Sequence, residues 1–323
     1  VQCGGQHGGR DREQLARRLD MPEDKIEVVT SPIGGGFGGK DELTVHPALA
    51  LLALKAKRPV RLQLSRRESV LAGTKRNPFT ITMKTACDAA GKLIAQKVDA
   101  VADGGAHASL SLGVIETAME HACGPYIIPH ASTRGRLVAT NNGTCGAFRG
   151  FGCNEMTFAV ECQIERLAAL VGLDAVAMRR KNIRQPGMPG TLGQKAGPTE
   201  RLSAMLDTAA ASTLWTEQPD LRPGEISGVG MALCYQGNGL GTLPPDEGDV
   251  ELALAVDGKI EARYGLDEMG QGLVPAVASC VADALAIARQ DVRVVFGDTR
   301  ATPDSGSTTA SRGTYVVWKG AQR

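Results

Sequence analysis

Forty of the 323 residues are glycine, and many of them are bunched into four short clusters between apolar segments. Glycine takes positive φ freely and lets backbone approach a ligand closely, so such clusters mark tight turns and contact loops and interrupt regular elements. The clusters read GGGFGGKDE at residues 34–42, NNGTCGAFRGFG at 141–152, DEMGQGL at 267–273 and SGSTTASRGT at 305–314. The chain around them is ordinary: 42% hydrophobic and 22% charged, enough apolar surface to offset ordering entropy, which excludes disorder for most of it. Its length exceeds what one hydrophobic core usually spans.

Periodicity places elements around the clusters. The segment KIEVVT at 25–30 reads as a strand before the first cluster, and a helix follows it, with Pro47 at the first helical position, apolar residues 48–54, and Lys55, Lys57 and Arg58 in the last turn before Pro59. Residues 60–64 alternate as a strand, and 79–85 and 93–101 form a hairpin-like pair around Asp88 and Gly91. Val160, Ile164, Leu167 and Val171 recur at helical spacing, predicting a helix over 155–171 capped by Asn154 and stopped by Gly172. Residues 185–198 are a Gly- and Pro-rich loop, and a second such stretch at 220–228 marks a boundary. Beyond it, strands are predicted near 228–235, 250–256, 259–264 and 292–296, and helices near 274–288 and after the fourth cluster. The expected fold class is α+β: two lobes, residues 1–219 and 220–323, of mixed, partly antiparallel sheets with packed helices.

Several functions are excluded by composition. Lys plus Arg (36) nearly equals Asp plus Glu (35), so the weak field gives no reason to expect nucleic acid or an anionic membrane as partner. No apolar run near the N-terminus approaches the roughly 20 residues of a membrane span, and the opening residues do not read as a signal peptide. Eight scattered cysteines without a CxxC pair read as reduced thiols and argue against an iron-sulfur cluster held by this chain alone. The five histidines show no metal spacing, so no protein ligand to a metal is assigned.

Each cluster admits a chemical reading. Gly34, Gly36 and Gly39 formally satisfy a dinucleotide fingerprint, and 34–40 has the length of a phosphate-binding P-loop, but Asp41 stands where a hydroxyl would ligate magnesium and a carboxylate would repel phosphate. In the second cluster Phe148 and Phe151 flank Arg149, a forked guanidinium suited to an anionic or carbonyl group within a loop that buries both rings. The third and fourth each open a helix, where backbone amides and the Gln271 amide suit phosphate.

In this order and spacing the four clusters resemble the molybdenum-cofactor-binding subunit of the xanthine dehydrogenase and aldehyde oxidase family, nearest to bacterial xanthine-dehydrogenase-like proteins, over nearly the whole chain. The resemblance implies a molybdenum-molybdopterin cofactor between two lobes, in the plain or the cytosine dinucleotide form, with iron-sulfur clusters and FAD on partner subunits or domains. It implies that Gln6 hydrogen-bonds a ligand of the metal, that Gly36, Phe37 and Gly38 bring backbone amides to it, and that Gly270, Gln271, Ala310, Ser311 and Arg312 contact the pterin or its phosphate. Arg149 matches the residue that stabilises negative charge on a purine-like substrate. Asp41 stands where xanthine-oxidising members carry a substrate-contacting Glu, one methylene longer, with Glu42 next. The family's Glu base falls beyond the last matched residue, so the chain reads as a slice of a longer cytoplasmic subunit or as a split subunit, its second lobe truncated. The implied activity is hydroxylation of a purine or related N-heterocycle with water-derived oxygen. An aldehyde oxidase, a non-catalytic cofactor-binding remnant and the nucleotide-binding reading of 34–39 are the alternatives.

Overall fold

Phe79, Ile81 and Met83 alternate with Thr80, Thr82 and Lys84, making one strand face apolar. In the computed structural model of the chain, which describes residues 1–190, 192–193, 201–217, 219–240, 246 and 248–322, that face is turned inward along the whole strand. Residues 191 and 194–198 of the predicted 185–198 loop lie outside the described residues.

The chain divides into two compact units. The first comprises Val1–Lys75, Ala147–Arg149 and the chain from Gly237 onward; the second comprises Arg76–Gly146 and Gly150–Gln236. The units cut across the contiguous break expected between residues 219 and 220, because the segment carrying Arg149 and the C-terminal part of the chain pack with the N-terminal residues.

In chain order the first unit opens with β1 (Gln2–Cys3), α1 (Gly8–Leu19), β2 (Val29–Thr30), α2 (His46–Ala56) and α3 (Arg66–Ala72). The second holds β3 (Phe79–Cys87), β4 (Leu93–Asp103), α4 (Ser111–Glu120), β5 (His130–Val138), α5 (Cys153–Val171), α6 (Ala175–Asn182) and α7 (Leu202–Ala210). The first then resumes with β6 (Val250–Leu254), β7 (Ile260–Tyr264), α8 (Leu273–Leu285), β8 (Val292–Phe296) and α9 (Gly313–Ala321). Each unit contains the same motif: an antiparallel hairpin, then a helical crossover to a parallel third strand, in the orders β3-β4-β5 and β6-β7-β8. Parallel pairing requires such a crossover, supplied by α4 in one unit and α8 in the other.

Leu93, Val98, Ala100 and Ala102 of β4 are buried against Ile115 and Ala118 of α4 and the Met156, Val160, Ile164 stripe of α5. Burying each of the larger aliphatic side chains contributes roughly 1.5–3 kcal/mol. In the first unit Ala262 and Tyr264 of β7 pack with Val277 and Val281 of α8 and Val316 and Val317 of α9, and a smaller cluster joins Leu15, Ala16, Ile26 and Val28.

The predicted α2 is present with Pro47 in its first turn, and Lys57 ends it in the left-handed region. α5 begins at Cys153, so Asn154 lies inside the helix, while Gly152 and Gly172 bracket it at positive φ. Three predicted strands fail for definable reasons. Over 25–30 only Val29 and Thr30 pair, because their partner β1 is two residues long. Residues 60–64 form no ladder, and a reciprocal capping box of Ser65 and Glu68 starts α3 directly after them. Residues 228–235 also form no ladder: Leu233 N–H is taken by the Glu161 carboxylate (2.8 Å) and Met231 C=O by Arg179 (2.7 Å), so buried side chains satisfy this backbone. No helix among the described residues is long and apolar enough to cross a membrane, and the eight cysteines are free.

Candidate functional site

Gln6 leaves β1 on a short Gly-bearing link to α1, and its side chain is buried. Its Oε1 accepts from the backbone N–H of Gly38 (3.0 Å) and Lys40 (3.2 Å), while Nε2 donates to Thr308 C=O (3.3 Å). The Gln6 carbonyl in turn accepts from Thr308 N–H (2.7 Å). One amide therefore ties the first glycine cluster to the fourth.

The glycines of the first cluster are needed for packing of loop on loop. A Cβ at Gly36 would stand 2.5 Å from Gln6 Oε1 and 2.6 Å from Met269 Sδ; one at Gly38, where φ is +88°, would stand 2.9 Å from the Ala147 carbonyl carbon and the Phe148 nitrogen. Between them Phe37 has φ 54° and a ring 59% exposed, with the Arg149 guanidinium carbon 5.7 Å from its centroid. Such left-handed non-glycine backbone is strained and clusters at functional sites. The expectation that the loop buries the Phe148 and Phe151 rings around Arg149 is corrected here: Phe148 and Arg149 are exposed, Phe151 is half-buried, and the Phe37 ring lies over the cation.

The third cluster joins through Ile33 N–H, which donates to Glu268 C=O (3.2 Å). Gly270, at φ +94°, and Gln271 are exposed, and Gln271 accepts from Met269 N–H (2.6 Å) and donates to Asp267 C=O (2.9 Å). The N-terminus of α8 is already occupied: the Glu268 carboxylate accepts from the N–H groups of Gly270 (2.8 Å), Gly272 (3.1 Å) and Val274 (3.0 Å). Burial acts to raise the Glu268 pKa, but these hydrogen bonds outweigh it and hold the carboxyl below its usual range. The amides expected to take a phosphate there face a carboxylate of the chain itself.

In the fourth cluster Ala310 and Ser311 have φ of 48° and 54°. Arg312 is turned inward and buried, its guanidinium donating to the carbonyls of Ser305 (3.0 Å) and Ser307 (2.9 Å) and pairing with Asp246. It shapes the loop from below. Asp41, expected to face substrate, is buried with its carboxylate on the Ser307 hydroxyl (2.8 Å) and Arg10 (3.0 Å). The structure thus brings Gln6, Gly36, Phe37, Gly38, Arg149, Met269 and Thr308 into one neighbourhood of the first unit, with Gly270, Gln271, Ala310 and Ser311 on connected loops.

Three buried titratable groups lie beneath these loops. Burial pushes the Asp11 carboxyl up to about 7 and Asp267 up to about 6, and pulls His46 down to about 4. His46 Nδ1 accepts from Thr44 N–H (3.2 Å), which leaves Nε2 facing Asp11 Oδ2 at 3.8 Å. Sequence reasoning missed Asp11, Arg10 and Ser307; the available signal was that Asp11 lies one helical turn before the core residue Leu15, on the same face of α1.

A carboxyl whose folded pKa is raised stabilises the fold below its unfolded pKa, and that stability is lost as pH rises through the folded value. Between pH 4 and 7 the protein is therefore expected to lose stability through Asp11, by up to about 4 kcal/mol for a shift from 3.8 to about 7. Asp11→Asn should raise the melting temperature at pH 8 and leave it nearly unchanged at pH 4; equal effects at both values would contradict the assignment.

The loops fit a phosphorylated, metal-bearing cofactor in their convergence, in their exposed Gly270, Gln271 and Ser311, and in the strained backbone of Phe37, Ala310 and Ser311. They do not fit a phosphate at the α8 N-terminus. Among the described residues no group of His, Cys, Asp or Glu is placed to hold a metal ion, so a metal here would be carried by the cofactor. This class of site is matched by family: the chain belongs to the molybdopterin cofactor-binding domains, whose models match residues 1–183 and 205–323. More particularly, it is a molybdopterin-binding portion of the xanthine dehydrogenase and aldehyde oxidoreductase family. It is 46% identical to a probable xanthine dehydrogenase component of Bacillus subtilis (strain 168), over 99% of this chain and 43% of that protein. It is 39% identical to the nicotinate dehydrogenase large molybdopterin subunit of Eubacterium barkeri, over 57% of the chain and 43% of that subunit. Its fold matches aldehyde oxidoreductase from Desulfovibrio gigas with a TM-score of 0.86 at 27% identity, covering 98% of this chain and 36% of that one. The chain thus spans less than half the length of these relatives.

Proposed function

We propose that the chain supplies the cofactor-binding portion of a cytoplasmic hydroxylase that oxidises a purine or related N-heterocycle, working with iron-sulfur and FAD partners and the rest of the molybdenum-binding subunit. The convergence of three glycine loops, the first and fourth bridged by Gln6 and the third reaching Gly36 through Met269, supports this reading. In this proposal residues 1–219 contribute the Gln6, Gly36 and Arg149 loops of the cofactor site and residues 220–323 the Gly270 and Ala310 loops. When bound, the cofactor supplies two-electron oxidation at a molybdenum centre, in the plain or the cytosine dinucleotide form. Gln6 and the backbone of Gly36, Phe37 and Gly38 hold its metal end; Gly270, Gln271, Ala310 and Ser311 hold its pterin side; Arg312 acts indirectly, by fixing the carbonyls of Ser305 and Ser307.

Arg149 places a fixed positive charge beside Phe37, where it stabilises negative charge developing on substrate. In the complete enzyme, Arg149→Met is expected to lower kcat/KM about 10²-fold, the usual effect of losing one preorganised charge partner, with molybdenum content unchanged. Equal loss of both would remove Arg149 from this role. An aldehyde substrate is the second reading, favoured by the Asp41 carboxylate being engaged by Ser307 and Arg10 and so not offered to a purine. Metal analysis after expression with molybdate tests the whole proposal: stoichiometric molybdenum with pterin fluorescence supports it, and their absence from the partner complex would favour a non-catalytic remnant.

A further inference from the structure

Asp41 stands at the end of the first glycine cluster and reaches across 266 residues of sequence to Ser307. Its Oδ1 accepts from the Ser307 hydroxyl (2.8 Å) and from Arg10 Nη2 (3.0 Å), and the same guanidinium nitrogen also donates to the Asp41 carbonyl. Asp41 N–H donates to Gly38 C=O (3.1 Å), closing the turn that presents Phe37 and Gly38. From Ser307 the connection continues, since its carbonyl accepts from Arg312, which pairs with Asp246. Both Asp41 and Ser307 are buried, so these bonds work in a poorly solvated environment where they are strong.

We infer that Arg10, Asp41 and Ser307 form a positioning clamp that fixes the 36–40 loop against the 305–308 segment, so that Asp41 orients cofactor-facing backbone and does not touch substrate. Gln6 bridges the same two segments through Gly38, Lys40 and Thr308, and the clamp supplies the second point needed to fix their relative orientation. Side-chain length decides the role. The short aspartate side chain spans the gap with Oδ1 bonded to both Ser307 and Arg10. The inference rests on the proposed function only in assuming that these loops face the cofactor.

The test is amide hydrogen exchange on the complete molybdenum-binding subunit with its partners, prepared with and without molybdate. Peptides covering 36–41 and 305–309 are followed in Ser307→Ala, Ser307→Thr, Asp41→Ala and the Ser307→Ala/Asp41→Ala double variant. A hydrogen bond to a charged acceptor is strong enough that its loss should speed local opening about tenfold. Ser307→Ala and Asp41→Ala should each speed exchange by that amount in both peptides at once, Ser307→Thr should restore it, and the double variant should add little, because the two changes break one link. Exchange in the peptide covering β3 should not move. On the loaded enzyme kcat should fall while KM changes less than about threefold, since no substrate contact is lost. Acceleration confined to one peptide would overturn the clamp, as would a large rise in KM for Asp41→Ala with exchange unchanged. The exchange measured without molybdate does not depend on cofactor binding, so failure to load molybdenum would count against the proposed function and leave the clamp to be judged on exchange alone.

Discussion

Arg179→Met is expected to destabilise the second unit by about 3–5 kcal/mol, the usual consequence of removing one partner from a buried ion pair. The Arg179 guanidinium is fully buried and donates through Nε (3.0 Å) and Nη2 (2.8 Å) to Glu161 Oε2, and to the carbonyls of Ala175 (2.9 Å) and Met231 (2.7 Å); Glu165 pairs with it at 2.7 Å. Glu161 also accepts from Leu233 N–H (2.8 Å) and from the Tyr126 hydroxyl (2.5 Å). Burial first, and the Glu161 charge second, push the Tyr126 phenol well above its usual range, so the tyrosine remains a neutral donor at any working pH. Without the guanidinium the Glu161 charge is left in the core, and the 231–233 segment loses its anchor. A surface comparison sharpens the expectation. Arg263→Met breaks pairs with Glu251 (2.9 Å) and Glu261 (2.9 Å) in which partners are partly exposed and screened by solvent, and should move the unfolding midpoint far less. Urea unfolding of both variants checks the contrast, and comparable midpoint shifts would mean that the buried network is not what holds this unit together.

The second large effect is expected at Gly38. An alanine there must hold φ near +88° and place its methyl carbon 2.9 Å from the backbone of Ala147 and Phe148. Left-handed strain alone costs about 1–3 kcal/mol, and backbone atoms cannot rotate aside as a flexible side chain could. The loop therefore has to leave its seat, and Gln6 Oε1 loses the Gly38 and Lys40 donors that satisfy it. A net loss of roughly 3 kcal/mol or more follows once a buried amide is left unpaired, together with faster exchange at residues 36–40. Gly34→Ala is the control, since nothing lies within 4 Å of a methyl there and its φ is not left-handed. If both alanines behave alike in thermal unfolding and exchange, the close approach of the two loops is not a constraint on the fold.

What could be read from the chain follows the range of the interaction concerned. The α5 stripe of Val160, Ile164 and Leu167, the hairpin at Asp88 to Gly91, and the Pro47 start of α2 were legible because each is set by neighbours within a few residues. Residues 60–64 and 228–235 are also predicted strands, yet form no ladder: pairing depends on a partner distant in sequence, and over 231–233 the backbone is bonded by Glu161 and Arg179 instead. α1 went unpredicted: its sequence GGRDREQLARRL is dominated by charge, and its few core contacts come from Leu15 and Ala16. β5 was missed for a related reason, being exposed along most of its length and held chiefly by its ladder to β4.

The same distinction runs through the candidate site. Glycine clusters announce themselves locally, because positive φ and close approach favour that residue type, so the loops were visible in the sequence, and the order of their motifs carried the resemblance to the family. Which way each polar side chain turns was not visible. Asp41 and Arg312 face inward, Glu268 covers the start of α8, and Gln6 is held by residues up to 302 positions away. Those outcomes depend on burial and on partners brought together by folding, and the free energy of a buried charge or amide is defined only once its surroundings exist.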